Sequence, residues 1–174
     1  FEYFVSKLVG LDLKKGLNNV EELNNKLSEY SMTRYMRLLY FLCLTEAKQE
    51  IERVAVGIKG GTPNYYLLNT FDNFKAYHNG PVEVDIYENR LYEGIFSLFT
   101  FEEGRLKLRG QDEDLAGRAK NILEETSPAV QEAIDDALSE LRNKGSKIVP
   151  NKSILVQDTI SLVELSHSLN PNVW

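Results

Sequence analysis

In 174 residues the sequence holds one cysteine, Cys43, two histidines, His78 and His167, and one tryptophan, Trp174. A single cysteine excludes an internal disulfide. Its place inside an apolar run predicts a buried thiol in a reduced, cytosolic protein rather than a nucleophile. Two histidines and one thiol give no repeated ligand spacing from which a zinc site is built, so neither metal nor cofactor is expected. Long apolar runs are missing too. The longest, Leu38 to Leu44, is far too short to span a bilayer, and no charged start with a small-residue cleavage site precedes an apolar stretch. A soluble, unexported chain without a membrane partner follows. There is no Gly-x-Ser-x-Gly elbow and no His-Glu-x-x-His. The string GIKGGT at 57–62 lacks the closing Gly-Lys-Ser/Thr of a phosphate loop and reads as a plain turn. Excess positive charge is also absent: 20 basic residues stand against 26 acidic ones, a net charge of −6. Many of the acids crowd into 112–140. Such a balance repels phosphate backbones, which disfavours nucleic acid and makes a basic protein the better partner; the plain alternative is solvated helix faces.

Aromatic residues are what the chain has in quantity, nine tyrosines and eight phenylalanines. Many stand near turns rather than inside apolar stripes, as partner-binding surfaces favour, although completing the core accounts for most of them. The densest set lies between Phe71 and Tyr92, around the one Gly-Pro pair. Gly80 reaches backbone conformations closed to other residues, and Pro81 fixes its own φ and keeps Gly80 out of the α region, so a corner is expected. Beyond it, Val82, Val84 and Ile86 alternate with Glu83, Asp85 and Tyr87 as in a strand, while Pro81 followed by acids also suits a first helical turn. The residues leave both open.

Along the rest of the chain the pattern is mainly helical. Glu2 to Val9 predicts a short helix burying Phe4, Val5 and Leu8 and ended by Gly10. Asn18 or Asn19 caps a second, with Val20, Leu23, Leu27 and Tyr30 on one stripe. Residues 1–30 form a helical lead-in. Ser31 caps a third helix, from Met32 to about Lys48, so apolar on all sides that it must be the buried central one. Arg34 and Arg37 in its first turns read as ordinary exposed arginines. Val54, Val56 and Ile58 alternate as in a short strand, followed by the Gly60 to Asn64 turn. Tyr65 to Leu68 reads as a covering segment or partner surface. A β-hairpin is expected from Ile95 to Leu108 around Glu102-Glu103-Gly104. Helices follow over Asp112 to Glu125 and from Pro128, capped by Ser127, to Gly145. A final amphipathic segment, Thr159 to Leu169, carries Leu162, Leu165 and Leu169 on one face.

A catalytic set would have to pair His78 with Asp72, Glu83 or Asp85, or His167 with Glu164 three positions before it on a helix. A small hydrolytic or transfer enzyme built on one of these is the alternative to a binding protein. It requires a concave, partly buried histidine within reach of a carboxylate.

Three blocks of residues carry a family resemblance. They are Tyr35-Met36-Arg37-Leu38-Leu39-Tyr40, then Phe74-Lys75-Ala76-Tyr77-His78-Asn79-Gly80-Pro81-Val82 with Tyr87 five residues on, and Glu164-Leu165-Ser166-His167 ahead of Pro171 and Trp174. In this order they resemble the Panacea domain, also described as SocA-like or phage-associated, over 31–174. The departures are Tyr77 where the family often has Trp, Arg37 for its usual lysine, and a Pro-Trp ending spread over Pro171 to Trp174. The resemblance implies a mainly helical domain with small β elements. It also implies that Gly80-Pro81-Val82 leads into a helix beginning at Pro81, with Val82, Ile86 and Tyr87 inward. Its signature residues are Tyr77, His78, Gly80, Pro81, Val82, Tyr87, His167 and Trp174. The implied role is that of an antitoxin binding a cognate toxin protein, with a protease as the further partner of those members that act as adaptors.

Overall fold

The computed structural model describes residues 1–15, 19–58, 60–92, 95–110 and 114–143. Along the chain these form α1 (Glu2–Leu8), α2 (Val20–Ser28), α3 (Met32–Ala55), α4 (Tyr66–Thr70), β1 (Phe74–Tyr77), β2 (Gly80–Glu83), α5 (Val84–Asn89), β3 (Phe99–Glu102), β4 (Arg105–Leu108), α6 (Leu115–Glu125) and α7 (Pro128–Asn143). The fold is mainly α with two small antiparallel hairpins, β1–β2 and β3–β4. No helix of the described residues is long and apolar enough to cross a membrane. The expected amphipathic segment at 159–169 lies outside the described residues, as does Gly145.

The described residues pack as two units, each assembled from separated segments: those of 1–35 with those of 85–131, and those of 36–84 with 132–143. In the first, residues 1–30 pack together with 85–131. Asn19 caps α2 reciprocally: its Oδ1 accepts the Glu22 N–H at 3.2 Å, and its Nδ2 donates to Glu22 Oε2 at 2.8 Å. Leu23 and Leu27 are buried. Asn24 Oδ1 accepts the Leu108 N–H at 2.8 Å, which docks α2 on β4. Glu2 reaches 95 positions along the chain, its carboxylate accepting the N–H groups of Ser97, Leu98 and Phe99 at 2.6, 2.7 and 3.3 Å. This one side chain satisfies three consecutive amides entering β3. At the other end, the Gln131 amide donates to the Leu123 and Thr126 carbonyls, filling acceptors that α6 leaves open at its C-terminus.

The second unit is built on α3 from Met36 onward. Met36, Leu39, Tyr40, Leu42 and Cys43 are fully buried, as a helix without a polar face requires. The ring of Tyr40 meets that of Phe74 edge-on at 6.1 Å. The strand expected around Val54, Val56 and Ile58 is not there. Helix α3 continues to Ala55 and closes in a Schellman motif: Ile58 N–H bonds the Arg53 carbonyl at 3.0 Å and Gly57 N–H the Val54 carbonyl at 3.2 Å. Gly57 takes φ +77° there. A last helical turn followed by this cap leaves Val54, Val56 and Ile58 at alternate positions by accident of spacing.

Candidate functional site

The corner expected at Gly80 is the turn of the β1–β2 hairpin. Tyr77 pairs with Gly80, Ala76 with Pro81, Lys75 with Val82 and Phe74 with Glu83. The Val84 N–H bonds the Asn73 carbonyl at 2.9 Å, which fixes the phase of the ladder. Bonded pairs alternate with unbonded ones, so Pro81 falls on an unbonded position where its missing N–H costs nothing. This corrects the expectation of a helix from Pro81: Gly80 to Glu83 is strand, and α5 begins only at Val84.

The turn residues His78 and Asn79 are not left-handed; among the described residues only Asn19 and Glu103 are non-glycines at positive φ. The reversal therefore falls on Gly80, at φ +119°. Arg37, reaching from α3, holds the turn: its Nε and Nη2 donate to the Asn79 carbonyl at 3.1 and 2.5 Å. A Cβ on Gly80 would stand 3.1 Å from Arg37 Nε. The reading of Arg37 as an ordinary exposed arginine is corrected by these bonds. Arg34 lies with its guanidinium 4.7 Å from the centre of the Tyr30 ring.

Burial divides the hairpin. Phe74, Gly80, Pro81 and Glu83 are buried and Val82 is half-buried, while Lys75, Ala76, Tyr77, His78 and Asn79 are exposed. His78 thus sits on the exposed tip. Glu83 is buried three ladder positions away, about 10 Å along the strand. The pairing of His78 with Glu83 considered for catalysis is not made. Glu164, His167 and Trp174 lie outside the described residues. Among the described residues no group of three or more histidine, cysteine, aspartate or glutamate side chains is placed to hold a metal.

Beneath this corner α3 carries polar groups that sequence reasoning did not single out. Glu46 Oε1 accepts the Leu67 N–H at 2.9 Å and caps α4, whose own N-cap residue, Tyr65, supplies no side-chain acceptor. Glu50 accepts the Asn64 N–H at 3.2 Å and the Arg53 guanidinium at 3.0 Å. Both carboxylates are buried. The available signal was their spacing of four, which puts both on one face of α3 next to the apolar run. The thiol of Cys43, one turn before Glu46, is pushed well above its ordinary pKa by burial, and the charges of Glu46 and Glu83 push the same way. Burial in the apolar run thus favours the neutral thiol.

Tyr87 belongs to the other unit. It is exposed rather than inward, and the guanidinium of Arg90 lies 3.4 Å from its ring centre and 5.4 Å from that of Phe101. Arg90 Nη1 also donates to the Tyr87 carbonyl. Ile86 is buried as expected. Of the described signature residues, Tyr77, His78, Gly80, Pro81 and Val82 share the hairpin, and Tyr87 belongs to the other unit. In comparisons with family models, curated proteins and solved structures, nothing matches this chain.

Proposed function

We propose that this chain is an antitoxin that neutralises a cognate toxin protein by direct binding. The motive is the Panacea resemblance of its three sequence blocks. The observation that supports it is the division of labour in the hairpin. Gly80 and Pro81, buried and braced by Arg37, form a fixed corner, and that corner presents Lys75, Tyr77 and His78 to the outside. Tyr77 is half exposed, at 50%. An aromatic ring on a braced turn offers contact area with little ordering left to lose on binding. The net charge of −6 favours a basic partner and speeds the encounter with one. Delivery of the bound toxin to a protease is the further step that the resemblance implies.

The test is co-expression with the products of adjacent genes. One of them, toxic alone, is expected to become harmless and to co-purify with this chain. Tyr77→Ala should weaken the complex by about 1–2 kcal/mol, at least several-fold in affinity, without moving the melting temperature. The absence of both rescue and a complex with every neighbouring product would refute the proposal.

A further inference from the structure

The β1–β2 hairpin has two outer edges, and they differ. With the ladder phase set by the bond from Val84 to Asn73, Lys75–Val82 and Tyr77–Gly80 are bonded pairs, and the backbone groups of Phe74, Ala76, Pro81 and Glu83 point outward. On the β2 side Pro81 and Glu83 are buried, and Pro81 has no N–H to offer. On the β1 side Phe74 is fully buried, but Lys75, Ala76 and Tyr77 are exposed. The outward N–H and C=O of Ala76 therefore lie on an open edge. In the other hairpin the chain supplies its own acceptors: Asn24 takes the Leu108 N–H, and Glu2 takes those of Ser97, Leu98 and Phe99. Among the described residues Ala76 has no such acceptor. The strand period puts Lys75 and Tyr77 together on one face, with Ala76 between them on the other. Lys75 makes no ion pair among the described residues. A lysine on an edge strand turns away most strands that approach it. A strand that brings a carboxylate is the exception, since it pairs the ammonium that docking would otherwise bury alone.

Resting on the antitoxin reading and deepening it, we infer that the toxin is held by strand addition. An extended segment of it lies along β1, exchanges backbone hydrogen bonds with Ala76 and places a carboxylate against Lys75, beside Tyr77. In this mode main-chain bonds supply affinity and the flanking side chains supply choice. The net charge of −6 acts at long range on the whole partner, whereas Lys75 acts at contact on one residue of it and fixes the register.

The probe is a synthetic peptide of alternating valine and threonine with a central glutamate, added to isotope-labelled full-length chain. Its counterparts carry lysine for the glutamate, or proline at alternate positions. In the free chain the Ala76 amide should exchange readily while those of Lys75 and Val82 are protected. The glutamate peptide should bind and slow exchange at Ala76, and the other two should bind about tenfold more weakly or worse. Ala76→Pro removes the outward donor and none of the hairpin's own bonds, as Pro81 shows across the ladder. It should weaken binding of the glutamate peptide about tenfold, with Lys75 and Val82 still protected. Should that variant unfold, Lys75→Glu carries the test, and it should reverse the preference in favour of the lysine peptide. An Ala76 amide protected in the free chain, no binding of the glutamate peptide, equal binding of all three, shifts confined to other residues, or a preference unchanged by Lys75→Glu overturns the inference. So does dimerisation through β1 in sedimentation, which would assign the edge to a second copy of the chain. Co-expression separates this inference from the reading beneath it. If a toxin is neutralised equally well by the Ala76→Pro and Lys75→Glu variants, the edge fails and the antitoxin stands. If the glutamate peptide docks at Ala76 but no neighbouring product is rescued, the antitoxin fails and the edge stands.

Discussion

Gly80 answers to two separate constraints, and they can be measured apart. Its φ of +119° strains any residue with a Cβ, and that Cβ would meet Arg37 Nε at 3.1 Å. Gly80→Ala should cost about 2 kcal/mol in denaturant unfolding, and Gly80→Val more. In an Arg37→Ala background the steric part disappears while the backbone part remains, so the cost of Gly80→Ala should shrink without vanishing. Equal costs in both backgrounds would show that the Arg37 contact does not matter. The Gly-Pro pair made this residue legible in the sequence. Arg37 was not legible, because the group it holds is the Asn79 carbonyl, a backbone atom 42 positions away. Glu2 was hidden in the same way, and it adds a pH dependence. Burial raises its pKa above the ordinary value, outweighing the lowering by its bonds to the Leu98, Ser97 and Phe99 amides. The folded state then holds this proton more tightly than the unfolded chain does. Its contribution to stability is fully present below the ordinary glutamate pKa and is lost as pH rises through the raised one. Denaturation across the pH window that opens at the ordinary glutamate pKa and runs upward should show that fall, and Glu2→Gln should flatten it. A wild-type stability that rises across the window through this group, losing its upward slope in Glu2→Gln, would contradict the assignment.

Among the elements, helix starts were easier to read than helix ends. Asn19, Ser31 and Ser127 each accept an N–H from the first turn of α2, α3 and α7, as their side chains predicted. The end of α3 was misread because three alternating β-branched residues outweighed Gly57, whose left-handed φ closes the helix. At β2 the residues left strand and helix open, since a proline before acids imitates a first helical turn; the resemblance favoured the helix, and only the ladder phase shows that Pro81 gives up no hydrogen bond. Helix α4 is the element whose cap comes from elsewhere. Replacing Glu46 by leucine keeps volume but strands the Leu67 N–H in a buried place, and should cost about 1–3 kcal/mol. Glu46→Gln keeps an acceptor and should cost clearly less. Hydrogen exchange at the Leu67 amide should accelerate in the leucine variant alone. If both variants lose the same stability and protect Leu67 equally, the cap is not what holds α4.

At the scale of the whole molecule, the order of elements was legible and their grouping was not. Local patterns place helices and hairpins along the chain, but a contact between Glu2 and the amides of Ser97 to Phe99, or between Asn24 and the Leu108 amide, leaves no periodic trace. Read in order, residues 1–30 look like a lead-in to a domain that starts at Ser31. In the fold, α1 and α2 share a unit with 85–131, where α2 lies against β4 and α1 against α6. Removing 1–30 would expose Leu106, Leu108, Leu115 and Ala119, buried in the intact chain, and would leave three consecutive amides at β3 without their acceptor. A fragment spanning 31–174 should therefore lose amide protection over 97–110, and its first unit should melt well below that of the full chain. Adding the separate 1–30 peptide should restore part of that protection, because the lost contacts are specific acceptors and buried faces rather than a linker. If the fragment keeps dispersed, protected amides over 97–110 by itself, then residues 1–30 are a dispensable extension and the contacts of Glu2 and Asn24 add little to the fold.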